Sequence, residues 1–254
     1  MHVLLTRPEP DAEPLKSRIE QFGHRVSLAP LLTIELEDIA STALQGASAI
    51  VATSRNGLRA LAASPAFSVA LDRQIFAVGP ATSAYARDLG FTDILSGAGT
   101  ATDLVPVIAA HQAVKTGTIV HLAGDHLAFD LAAALAKLGI RLTSLPAYRS
   151  VAAETLDPGV ASGLEAKVFD AVILMSPRTA ATWVGLTQKP SFAAALTTMT
   201  HICLSEAVAA EIRDSLTQKS LASPRAARIE VAAKPNAEEL LALVSRLAAQ
   251  SITE

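Results

Sequence analysis

The sequence predicts an α/β protein made of two doubly wound parallel-sheet lobes joined by a two-stranded β connector. Short apolar β-type runs alternate with helix-period segments along the chain, the pattern of parallel strands joined by crossover helices. Part of that pattern recurs, since Leu15, Gly23, Arg25 and Pro30 align with Leu131, Gly139, Arg141 and Pro146. Two proline-containing stretches, Ala29 to Leu36 (APLLTIEL) and Leu145 to Val151 (LPAYRSV), alternate apolar and polar residues without a helical period and read as related extended connectors.

Taken in order, His2 to Thr6 is an apolar strand, Asp11 to Phe22 a helix and Arg25 to Leu28 a second strand. A lone β-α-β unit cannot bury both faces of its own sheet, so residues 1–29 must dock on later chain. After the first connector come a strand over Ala47 to Ser54, a helix over Gly57 to Ala63, a strand over Gln74 to Gly79 and a helix from Pro80 to Leu89. Thr92 to Leu95, a helix from Thr102 to His111, Thr118 to Leu122, a helix from Ala128 to Leu138, and Arg141 to Leu145 follow. Beyond the second connector lie strands at Asp170 to Ser176, His201 to Ser205 and Arg228 to Ala233, each followed by a helix, the last over Asn236 to Ala249.

Two more pairings extend the repeat: AIVATSRNGLRAL sits beside AVILMSPRTAATW, and QIFAVGPATSAYA beside HICLSEAVAAEI. The order A, B, A, B implies a duplication. With the connectors side by side, residues 1–29 and 153–254 form one discontinuous lobe, residues 37–145 the other, and residues 30–36 and 146–152 the paired linkers. A single (β/α)₈ barrel is the rival architecture, but the repeat order and the excess of strand candidates favour two lobes.

A chain of 254 residues, 50% of them apolar, can bury a substantial core. No apolar run approaches the roughly 18 residues that cross a bilayer, and the first residues enter a strand instead of a signal peptide, so a soluble cytoplasmic protein with no membrane partner is expected. The single cysteine, Cys203, lies in an apolar run and reads as a core residue, leaving no disulfide or cysteine-metal cluster. Net charge is −3 with scattered basic residues, which argues against a nucleic-acid partner. There is no GxxxxGK[ST] loop, no GxGxxG after the first strand, no GxSxG, no HExxH and no CxxC. His121 and His126 are spaced for neither one strand face nor successive helical turns, so core or rim roles are expected and no metal site. Asp125 reads as a loop cap, and GAGTATD (Gly97 to Asp103) is too short a signal to name a nucleotide.

In open α/β sheets ligands bind beyond the carboxyl ends of the strands. Those ends carry Thr6 and Arg7, Thr53, Ser54 and Asn56, Gly79 to Ser83, Gly97 to Thr102, Ala123 to His126, Ser176 to Thr179, and Ser205. Most are small or hydroxylic residues just before a helix, where unpaired backbone N–H groups and the helix dipole hold carboxylates without lysine. Ordinary N-capping accounts for most such residues. It does not require similar cap chemistry in both lobes facing one cleft. Tyr148, in the second connector, adds a phenol able to donate a proton there, against its plainer reading as a half-buried strand aromatic.

VLLTRP, GHRVSLAP, ATSRNG, AVGPAT, LPAYRS and the SP after a later strand together resemble the uroporphyrinogen-III synthase family, in the family's order and over essentially the whole chain. The resemblance implies two α/β lobes joined by a two-stranded ladder, a monomer, and a cofactor-free cyclisation of hydroxymethylbilane, a linear tetrapyrrole, with loss of water and inversion of the last pyrrole ring. It puts the family's linker tyrosine at Tyr148, the threonine after its VG turn at Thr82, the serine of its SP turn at Ser176, and its TS turn at Thr53 and Ser54. Where relatives often carry a threonine this chain has Ala207 and Val208, so a hydroxyl contact there is absent or supplied by Ser205. No arginine role transfers to LAGDH near Ala123. The expected site is therefore Tyr148 as general acid, with Thr6, Arg7, Thr53, Ser54, Asn56, Gly79, Thr82, Ser176 and Ser205 as substrate donors. The alternatives are a non-enzymatic two-lobe module binding a small anion, and a barrel enzyme using GAGTATD as a phosphate loop.

Overall fold

The computed structural model describes residues 1–111, 117–127, 129–218 and 228–251. By contact the chain divides into two units, Met1–Thr33 with Val151–Glu254, and Ile34–Ser150. In the first unit β1 (His2–Leu5), α1 (Ala12–Gln21) and β2 (Arg25–Leu28) open the chain, and β3 (Leu32–Leu36) leads into the second. The second holds β4 (Ala47–Ala52), α2 (Arg55–Ala62), α3 (Phe67–Ala70), β5 (Gln74–Ala77), α4 (Pro80–Asp88), β6 (Ile94–Ser96), α5 (Ala101–Ala110), β7 (Thr118–Gly124), α6 (Leu131–Ala136) and most of β8 (Leu142–Ala152). The chain then returns to the first unit with α7 (Pro158–Glu165), β9 (Ala171–Leu174), α8 (Pro177–Leu186), α9 (Ala193–Thr198), β10 (Thr200–Cys203), α10 (Glu206–Gln218), β11 (Arg228–Val231) and α11 (Ala237–Ser251).

The strands form two separate sheets, which overturns the barrel reading. One has the order β11-β10-β9-β1-β2 and is parallel throughout. The other has the order β3-β8-β7-β4-β5-β6 and is parallel from β8 to β6. The β3 to β8 pair is antiparallel: Ala153 N donates to Leu31 O, and further along Glu37 N donates to Ala147 O. Setting β3 aside, the two orders coincide when β1 and β2 are matched to β7 and β8, and β9, β10 and β11 to β4, β5 and β6. The duplicated motifs are therefore duplicated positions in the sheets.

Alternation along the strands explains the layers. Leu4, Val172 and Leu174 face one apolar cluster and Val3, Leu5, Ala171 and Ile173 the other, so both faces of the five-stranded sheet are covered. Ile50 and Ala52 against Ala49 and Val51 do the same for β4. The aligned glycines share one task. Gly23 (φ +80°) and Gly139 (φ +74°) follow the ends of α1 and α6 in the left-handed region and turn the chain into the next strand.

The structure departs from expectation in a few places. The strand expected at Arg141 to Leu145 and the second connector are one strand, β8. Pro146, which has no N–H, is accommodated where the β7 to β8 register shifts, between the Ala123↔Pro146 and Gly124↔Tyr148 pairs. The helix expected from Ala128 is α6, which begins at Leu131 because the Asp130 side chain accepts from Ala133 N at 2.9 Å; Ala128 itself lies outside the described residues. Helix α7, capped by Asp157 and opened by Pro158, was not anticipated.

Cys203 is fully buried on β10, and burial pushes its thiol up to about 12. The reactive thiolate is therefore scarce through pH 9. A disulfide reagent at pH 8 should label the native protein far more slowly than the unfolded chain; equal labelling rates would contradict this burial.

Candidate functional site

In the Ile34–Ser150 unit the carboxyl ends of the strands surround a cavity of about 440 Å³ lined by Thr53, Thr100, Thr102, His121, His126 and Tyr148, among others. Helix α2 starts at its rim. Ser54 is extended (φ −153°, ψ 151°) and accepts from Asn56 N at 3.2 Å, the expected capping geometry. Burial and the nearby Asp125 carboxylate raise the pKa of the Tyr148 phenol, against an opposing influence of the Ser54 side chain, so it stays protonated at neutral pH. Asp125 accepts from Ser150 N at 3.1 Å, and its own N–H donates to Tyr148 O at 3.1 Å, which pins β8 on both sides of the tyrosine. A methyl at Gly124 would lie 2.7 Å from the Tyr148 ring, so only glycine leaves the ring its place.

The histidine that spacing assigned to core or rim is part of this cavity. His121 is buried on β7, with Nε2 2.8 Å from Thr53 Oγ1. Burial lowers its pKa to about 4, which keeps the ring neutral. Sequence spacing missed it because its partner, Thr53, just follows β4 and is reached only through the sheet register. His126 is exposed at the rim, 3.6 Å from Asp125.

The remaining candidates fare unequally. Thr82, in the first turn of α4, is 5% exposed, and just before that helix the backbone packs tightly on the loop after β6, where a methyl on Gly79 would lie 3.0 Å from Gly99 Cα. The Asn56 side-chain oxygen accepts from Arg59, whose guanidinium lies 5.4 Å from the Tyr85 ring centre. The GAGTATD loop does form a helix start, but Asp103 accepts from Thr100 N at 2.9 Å and from Thr100 Oγ1 at 2.8 Å. An internal carboxylate already fills the slot a phosphate would need.

In the other unit, Ser176 caps α8 in the same extended conformation as Ser54 (φ −150°, ψ 155°), accepting from Thr179 N at 3.1 Å. Ser205 is half-buried at the start of α10, its carbonyl accepting from Val208 N and Ala209 N. Arg7 pairs with Asp11 at 3.5 Å and donates to Met175 Sδ. Thr6 departs from its expected role. It is fully buried, and its hydroxyl donates to Ile173 O at 2.6 Å, tying β1 to β9 instead of facing a ligand. This unit has a larger cavity, about 560 Å³, lined partly by His24, Lys167, Asp170 and Arg228, but it opens at the amino ends of the strands and has no capped helix start or tyrosine.

Two open parallel sheets of one shared strand order, each with serine-capped helices at its carboxyl edge, define a duplicated α/β protein. A sequence profile described as "Uroporphyrinogen-III synthase HemD" matches residues 13–230, and the chain belongs to that family. Membership makes it a cyclising lyase of tetrapyrrole biosynthesis. No curated protein sequence matches it significantly. Among solved structures, a uroporphyrinogen-III synthetase from Helicobacter pylori aligns with TM-score 0.65 at 15% identity, covering 97% of this chain and 99% of that one. A mutant uroporphyrinogen III synthase from Thermus thermophilus aligns with TM-score 0.56 at 18% identity, covering 100% of both chains. At such identities these likenesses establish the fold.

Two substitutions separate support from chemistry. Thr6→Val should cost about 1–3 kcal/mol in denaturant unfolding, because it leaves the Ile173 carbonyl unpaired, while kcat stays near wild type; a large loss of kcat in folded protein would restore Thr6 to the site. Gly124→Ala should do the reverse, displacing the Tyr148 ring and lowering kcat by roughly tenfold or more with the fold retained. Wild-type kinetics in that variant would show that the ring's position does not matter.

Proposed function

We propose that the chain closes hydroxymethylbilane to uroporphyrinogen III, with loss of water and inversion of the last ring, and that Tyr148 is the acid that assists the departing hydroxyl. The observation that carries this is the placement of Tyr148. It is a mostly buried, protonated phenol, and it lines a cavity at the carboxyl ends of parallel strands, beside Thr53 and the start of α2. The substrate is a polyanion with carboxylate arms on every ring, whereas the chain carries a net charge of −3. Local neutral donors must therefore hold it. Thr53 and Ser54, with the N–H groups at the start of α2, supply them at the cavity that Tyr148 lines, and Thr82 at the start of α4 is a further donor in the same unit. Ser176, Ser205 and Arg7 offer donors at the carboxyl ends of the five-stranded sheet, and Asn56 and Gly79 offer further ones in the Ile34–Ser150 unit.

The pyrrole nitrogen lone pair drives departure of the protonated hydroxyl as water, leaving an electrophilic azafulvenium that a pyrrole carbon attacks, so the protein has to supply only a proton and a curled substrate. Restricting a flexible bilane supplies most of the selectivity, and one general acid contributes roughly 10²- to 10⁴-fold. The cavity accommodates a ring with its acid arms rather than a whole tetrapyrrole. Scattered basic residues support a chain that works without nucleic acid, and the biosynthetic family supports a cytoplasmic monomer needing no cofactor. No described helix is long and apolar enough to cross a membrane.

Hydroxymethylbilane supplied to the purified chain should yield the type III porphyrinogen in excess of the type I product that forms spontaneously. Type I alone would overturn the assignment. Tyr148→Phe should lower kcat between about tenfold and 10³-fold with an unchanged circular dichroism spectrum; unaltered turnover would remove the acid role.

A further inference from the structure

His121 has one hydrogen bond and one nitrogen left over. Nε2 meets Thr53 Oγ1 at 2.8 Å, while Nδ1 is buried and has no partner among the described residues. Alternation along β7 puts the ring on the face of Ile119, which packs into an apolar cluster with Val51, Phe76 and Leu131. A proton on Nδ1 would point a bare N–H into that cluster. A proton on Nε2 leaves there only a lone pair, and this is also the tautomer the free neutral ring prefers. Nε2 must then donate to Thr53 Oγ1. A hydroxyl that accepts from the ring cannot also donate to it, and Thr53 has no other hydrogen-bond partner among the described residues.

We propose that His121 is a positioning residue, donating from Nε2 to Thr53 and so directing the Thr53 hydroxyl hydrogen into the cavity, where a substrate carboxylate oxygen accepts it. In the opposite tautomer Thr53 would donate to the ring and present the anion with lone pairs, a repulsive contact. The histidine thus fixes the sign of the threonine's interaction with a carboxylate without touching substrate. The functional half of the proposal rests on the reading of Thr53 as a substrate donor; the tautomer half does not.

Long-range proton–nitrogen NMR of the full chain labelled with ¹⁵N-histidine, with the signal assigned by its loss in His121→Phe, should find the His121 proton on Nε2 at neutral pH. A proton on Nδ1, or on both nitrogens, would overturn the proposal. In kinetics, His121→Phe should raise KM for hydroxymethylbilane about three- to tenfold with a smaller effect on kcat. His121→Gln, whose amide N–H takes the place of Nε2–H, should recover most of the loss. The double variant His121→Phe with Thr53→Val should be no worse than Thr53→Val alone. Independent, multiplying losses, or failure of glutamine to rescue in folded protein, would overturn the coupling. A silent Thr53→Val with the proton on Nε2 would instead overturn Thr53 as a substrate donor, and the functional half with it.

Discussion

Both sheets are buried on both faces, and this constraint orders the rest of the molecule. On a parallel strand covered above and below by helices, a polar group without a partner costs free energy, so most polar chemistry is driven to the strand ends. At the carboxyl end most strands hand over to a helix whose first N–H groups have no partner within the helix. The sequence answers with Ser54, Thr100 and Ser176, each accepting a backbone N–H with its side chain. The same need that makes the fold stable gathers hydroxyls and amide donors along one edge.

The duplication shows how one edge can take two uses. In the aligned motifs AIVATS and AVILMS, Thr53 corresponds to Met175 and Ser54 to Ser176. The serines cap in nearly the same geometry in both units. Their neighbours differ: Thr53 pairs with a buried neutral histidine, whereas Met175 accepts from the Arg7 guanidinium at 3.6 Å. The positions fixed by backbone need have been kept, and those free of that need have diverged. Tyr148 belongs to the divergent class as well, held in the Ile34–Ser150 unit by Gly124 and Asp125.

What the sequence made legible was whatever depends on local chain. The β-α-β order, the helix-ending Gly23 and Gly139, and the serine caps follow from spacing and residue type within a few positions. Two features were lost for a physical reason. Pro146 inside β8 reads as a strand boundary until the register shift opposite it is known. Thr6 and Thr53, both hydroxyls ending apolar strands, cannot be told apart without the register. Beside Thr6 stands the Ile173 carbonyl, which takes its hydroxyl inward, and beside Thr53 stands His121, at the cavity. GAGTATD was ambiguous for the opposite reason: its capping box is local, but only coordinates reveal that Asp103 turns back to occupy the helix start.

Neutral donors suit this chemistry better than a cluster of lysines would. Fixed cations would bind a tetracyclic polyanion as product nearly as firmly as the linear substrate, because both carry the same carboxylates. Such uniform binding lowers KM without raising kcat. Hydroxyls and helix N–H groups are directional, with each contact at a helix start worth about 0.3–1 kcal/mol, so their sum depends on how the chain is curled. A bent bilane can satisfy many of them at once and an extended one few. Selectivity for the inverted ring then comes from geometry, and in the proposed role Tyr148, kept protonated by burial and by Asp125, would have only to deliver a proton once that geometry is reached.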